Sequence, residues 1–79
     1  MDEIVDKIHG IIVGVLGLRP GKVQTIVRKE VMEWDSLNHM QIIFKVEREY
    51  RVRFSIAEVT AIGSEEDLIR SICEKLTVL

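Results

Sequence analysis

Little in this 79-residue chain is aromatic, and almost nothing in it is cysteine or proline: one Trp, one Tyr, two Phe, one Cys and one Pro. A single cysteine, Cys73, excludes an intrachain disulfide and a four-cysteine zinc site. Its solitude points to a reducing, cytoplasmic compartment. No run of about 18 apolar residues is present, so a membrane-spanning helix is not expected. The N-terminal stretch MDEIVDKIHG opens acidic and does not read as a signal peptide. A net charge of −2 gives no strong attraction to nucleic acid or to a membrane surface. There is no glycine-rich phosphate loop. The two histidines, His9 and His39, stand on different predicted helices without cysteines or paired carboxylates at ligand spacing, so no metal site is expected.

What remains is 47% hydrophobic and 30% charged, the composition of one small domain spanning residues 1–79. Such a domain buries roughly 60% of its unfolded surface, which implies a modest stability on the order of 4–12 kcal/mol. A deep catalytic pocket is hard to build at this size; a binding or carrier module, expected to be monomeric, is not. The charge is uneven. Residues 19–33 carry +2 and Arg51 with Arg53 another +2, whereas residues 54–79 carry −3. A solvated surface accounts for patches this weak.

Hydrophobic spacing predicts an all-α fold. Ile4, Val5, Ile8, Ile11, Ile12, Val15 and Leu16 recur at helical intervals from Asp2 to about Leu16. Gly17 is the expected stop, with Pro20 close behind. Residues 18–34 hold no period, and Pro20-Gly21 marks a turn. The β-branched group Val23, Thr25, Ile26 and Val27 has no second strand to pair with, so a long ordered loop is predicted instead. Leu18, Val23, Ile26, Val31 and Met32 are expected to pin it to the core, and Trp34 to pack its end against the bundle. A second helix should run from Ser36 to about Tyr50. Ser55 and Glu58 fit a capping box for a short third helix ended by Gly63. Ser64-Glu65-Glu66-Asp67 opens a fourth, with Leu68, Ile69, Ile72, Cys73 and Leu76 facing inward and Cys73 a buried core residue.

The informative segment is WDSLNHMQIIF, Trp34 to Phe44. Asp35-Ser36-Leu37 sets a hydroxyl at the start of the second helix, where backbone N–H groups favour negative charge. That position suits a serine bearing a phosphodiester-linked group, and it equally suits a helix cap. Ile42, Ile43, Val46, Tyr50 and Met40 share a core-facing arc, with Glu47 at its edge and its stem buried. Leu37 and Phe44 lie outside that arc beside Gln41, Lys45 and Arg48, forming a patch able to receive a partner or, alternatively, to be covered by the loop. Ser36 and His39, three residues apart, imitate a nucleophile and its base, but the strand–turn–helix context of a nucleophile elbow is missing.

With these residues in place, the chain resembles the acyl carrier protein family over nearly its full length. The Asp35-Ser36-Leu37 motif, the helix ending Glu47-Arg48-Glu49-Tyr50, the Arg53-Phe54-Ser55 lead and the Ser64–Ile69 start follow in the family's order. The resemblance implies a four-helix bundle of acyl-carrier type, with a long loop between helices one and two and a short helix three. It implies that Ser36 is the attachment site of a 4'-phosphopantetheine arm, transferred from coenzyme A by a phosphopantetheinyl transferase. The arm's thiol would carry acyl cargo as a thioester, and the chain itself would not be an enzyme. Asp35 would help the transferase hold its metal ion. Leu37, Gln41, Phe44, Lys45 and Arg48, with Val59 and Ile62 on the third helix, would meet the transferase and then the acyl-loading and acyl-processing enzymes. Helix two is neutral over residues 36–50, unlike the acidic helix usual in housekeeping fatty-acid carriers, and Glu33-Trp34 replaces small residues. Both departures imply specialised lipid, polyketide or related biosynthesis. An aminoacyl or peptidyl carrier, and an unmodified helical adaptor binding through Leu37 and Phe44, are the alternatives.

Overall fold

Asp2 to Leu16 form the first helix, α1, over the span its apolar spacing predicts. Gly17 closes it at φ +68°, a left-handed conformation that glycine adopts without a Cβ clash. The following N–H, from Leu18, donates back to the Val13 carbonyl at 3.1 Å, and the Leu18 side chain packs on the core. This is a Schellman ending. The computed structural model describes residues 2–18 and 26–77. The expected turn at Pro20-Gly21 and the residues Val23 and Thr25 lie outside that set.

Three further α-helices follow among the described residues: α2, Ser36–Tyr50; α3, Ile56–Ala61; and α4, Glu65–Thr77. The fold is all-helical, a small bundle in which α1 packs against both α2 and α4. Its centre is aliphatic: Ile8 and Ile12 of α1, Ile42, Ile43 and Val46 of α2, and Leu68 and Ile72 of α4. No strand forms among the described residues, as expected, yet the β-branched run does find a partner. Val27 makes a one-residue antiparallel bridge with Ser64, flanked by Arg28 N–H to the Gly63 carbonyl at 3.0 Å and Glu65 N–H to the Ile26 carbonyl at 2.8 Å. A 3-10 turn, Arg28–Glu30, follows it. The loop is thereby clipped to the start of α4.

Ile26, Val31 and Leu18 pack against the core, but Met32 does not: it is 93% exposed. Cys73 is half-buried rather than buried. In each case a neighbour fills the inward position: Val31 beside Met32 in the loop, and Ile72, one helical step from Cys73, in α4.

Two polar ties at helix ends were not foreseen from spacing. Glu65 is buried, and its Oε1 receives His9 Nδ1 at 2.9 Å and lies 3.5 Å from the Ile26 N–H, so the carboxylate joins α1, the loop and α4. Glu47, half-buried at the predicted edge of the core arc, accepts the Phe54 N–H at 2.8 Å. That bond fixes the chain leaving α2. The capping box then forms as predicted: Ser55 Oγ accepts from Glu58 N–H at 3.1 Å, and Glu58 Oε1 accepts from Ser55 N–H at 2.8 Å. α3 ends at Ala61 with Ile62 extended, and Gly63 follows without a positive φ.

Candidate functional site

The start of α2 is held by five side chains, those of Arg28, Trp34, Asp35, Asn38 and His39, around a serine that bonds to none of them. Asp35, not Ser36, is the N-cap: its Oδ1 accepts from the Asn38 N–H at 2.9 Å and its carbonyl from the His39 N–H at 2.8 Å. The alternative that Ser36 caps the helix is corrected here. Aspartate caps as well as serine does, and the chain places it one residue earlier. Asn38 Nδ2 donates to the Glu33 carbonyl at 2.7 Å, and Arg28 Nε to the Trp34 carbonyl at 3.2 Å. Residues 33–35 are therefore held from both sides.

Beneath them Trp34 is buried, and its Nε1–H donates to His39 Nδ1 at 2.8 Å. With Nδ1 accepting, the proton sits on Nε2, which donates to the Val59 carbonyl at 2.8 Å. Both ring nitrogens are committed inward, so His39 cannot draw a proton from Ser36. The imidazole instead bolts the first turn of α2 to the last turn of α3. The rejection of a Ser36–His39 nucleophile pair stands, but spacing assigned the imidazole no structural role, although a signal was present: on a helical wheel His39 falls between Val46 and Tyr50, inside the core arc.

Ser36 itself occupies the first helical position and is exposed; among the described residues its hydroxyl has no hydrogen-bond partner. Asp35 is also exposed, and its Oδ2 is likewise unpartnered among the described residues. By helix geometry the first N–H groups of α2 have no intrahelical acceptor; the Asn38 N–H is taken by Asp35, which leaves those of Ser36 and Leu37 pointing off the helix end.

Of the other residues named from sequence, Leu37 is 69% and Phe44 59% exposed, so the described part of the loop does not cover them. Gln41, Lys45 and Arg48 are exposed beside them. The two α3 positions fare differently. Val59 is half-buried and packs on the core, while Ile62 is 2% exposed and belongs to the core outright. Ile62, at the extended C-cap of α3, therefore offers almost no surface to a partner in this structure, against the expectation that it would meet one. Ile56, at 86% exposure, is the outward apolar residue of that helix, and the capping-box pattern hid it by drawing attention to Ser55 and Glu58.

Among the described residues no group of three or more histidine, cysteine or carboxylate side chains could hold a metal ion, and no helix is long and apolar enough to cross a membrane. Compared with known proteins, the chain matches no family model and no curated sequence.

Proposed function

We propose that this chain is a carrier protein of the acyl-carrier type, modified on Ser36 with a 4'-phosphopantetheine arm. One observation carries the reading: an exposed hydroxyl at a fixed helix start has been relieved of capping by its neighbour Asp35. Esterification would weaken and crowd the bond of a serine acting as cap; Ser36 makes no capping bond to disturb. The group fits the residues present. A phosphate on Oγ would lie at the N-terminal end of α2, where the helix dipole contributes about 0.3–1 kcal/mol. The free oxygen of Asp35 suits the metal ion that a phosphopantetheinyl transferase brings to the reaction.

When attached, such an arm supplies a terminal thiol for acyl cargo. The chain's own part is mechanical. The clamp of Asn38, Arg28, Trp34 and His39 holds the helix start still, so the serine is presented at one place without rearrangement of the bundle. Exposed Leu37 and Phe44 offer apolar contact beside it. Incubation with coenzyme A and a broad-range phosphopantetheinyl transferase is expected to raise the intact mass by one arm, and Ser36→Ala to abolish the rise. An unmodified wild-type product would refute the proposal. Loading assays with acyl-carrier synthetases against amino-acid-adenylating enzymes decide whether the cargo is acyl, in specialised lipid or polyketide synthesis, or aminoacyl.

The exposure of Leu37 and Phe44 also favours a second reading, an unmodified adaptor. Under it, Ser36→Ala leaves every partner interaction and cellular function intact.

A further inference from the structure

Leu37, Gln41, Phe44 and Arg48 step along α2 by three or four residues, Arg51 follows at its C-cap, and all five are exposed. With Lys45 at the margin they make one stripe, about 21 Å long at 1.5 Å per residue. The stripe is apolar near Ser36 and cationic at its far end. Exposed cations usually belong to a solvated face. Here, however, none of Lys45, Arg48 and Arg51 forms an ion pair with any described residue. Glu49, a carboxylate that lines a groove with them, pairs with Lys7 of α1 at 3.0 Å. An open groove of about 430 Å³, lined by Ile11, Lys45, Arg48, Glu49 and Arg51, lies at this end. Arg51 even holds a left-handed backbone, φ 54°, where a glycine would sit without strain, and so keeps a third cation in the row.

We infer that this stripe docks an acidic protein surface: a partner presenting carboxylates to Lys45, Arg48 and Arg51 and an apolar socket to Phe44 and Leu37. The inference deepens the carrier reading and rests on α2 being the face shown to partner enzymes. It assigns those enzymes a contact sign, negative. Nucleic acid is the weaker match, because two large apolar side chains share the stripe and the whole chain carries −2. Charge complementarity of this kind acts mainly on association rate and partner choice.

The test is an NMR titration of the isotope-labelled protein with four probes: an amphipathic peptide of glutamate and leucine, its lysine-and-leucine counterpart, a short DNA duplex, and phosphatidylglycerol vesicles. The acidic peptide should shift amides across residues 37–51. Its affinity should fall about tenfold in the K45E/R48E double variant, or on raising salt from about 0.05 M to about 0.5 M. Phe44→Ala should weaken binding while leaving the salt dependence in place. No binding of the acidic peptide, equal binding of the basic one, an unaltered K45E/R48E affinity, or tighter binding of DNA or vesicles at the stripe would each overturn the inference. Intact mass after transferase treatment separates the two claims. A modified protein that ignores the acidic peptide refutes the docking surface alone; an unmodified protein that binds it refutes the carrier reading alone.

Discussion

Ser55, Ser64 and Ser36 each stand at the beginning of a helix, but they are not equivalent. Ser55 Oγ accepts from the Glu58 N–H and Ser64 Oγ from the Asp67 N–H, both at 3.1 Å, whereas Ser36 leaves that task to Asp35. Alanine at these positions should therefore separate structural from functional serines. Ser55→Ala and Asp35→Ala are each expected to cost about 1 kcal/mol, and Ser36→Ala to stay within about 0.5 kcal/mol of wild type, by urea denaturation. Equal losses at Ser36 and Ser55 would show that Ser36 caps after all. The Trp34–His39–Val59 chain is the opposite case, in which polar atoms are wholly engaged. His39→Leu would leave a buried indole N–H and a carbonyl unpaired and should cost about 1–3 kcal/mol, with no loss of transferase modification from removing a base. A collapse of modification in a still-folded His39→Leu protein would mean that the imidazole touches the reaction.

At the scale of elements, α3 is the piece held by polar ties. It has six residues and none buried within its span, and Lys75 of α4 reaches it with Nζ 2.8 Å from Glu58 Oε2 and 4.9 Å from the Phe54 ring centre. The Lys75 hydrogen bond, aided by the Ser55 N–H, holds the Glu58 carboxyl below the ordinary glutamate range. A depressed folded-state value means that the unfolded chain binds this proton first. The stabilisation is present above the ordinary glutamate range and is lost as pH falls through the lower folded value. The stability gap between wild type and Glu58→Gln should accordingly close as the medium is acidified below that range, and a gap independent of pH would place the effect elsewhere. Element boundaries were the most legible feature in the sequence. α1 and α2 run over their expected spans because Gly17 and the apolar periods leave little choice. The end of α2 was legible only as a loss of period, since Arg51 rather than glycine takes the left-handed position.

For the molecule as a whole, a radius of gyration of 11.7 Å matches the value of about 11.6 Å expected for a compact chain of this length. The aliphatic centre shared by α1, α2 and α4 carries the stability, so Ile42→Ala or Ile72→Ala should cost about 2–5 kcal/mol. Amides of α3 should exchange with solvent faster than those of α1, α2 and α4, since few apolar contacts resist its opening. Protection of α3 equal to that of α1 would contradict this ranking. The inward faces were readable because helical spacing reports them directly. Single-residue geometry was not: Met32 and Val31 are neighbours in a loop without period, and only the fold decides which one turns inward. Likewise Asp35 and Ser36 are comparable caps on paper, and one residue of helix register assigns the role.

That register is also what frees the hydroxyl, and the chain contains four serines, at positions 36, 55, 64 and 71, among which it can be singled out. Fragmentation mass spectrometry of transferase-treated protein should therefore find a single added arm on the peptide containing Ser36 and on no other. An arm on Ser55, Ser64 or Ser71, or none anywhere, would contradict the account.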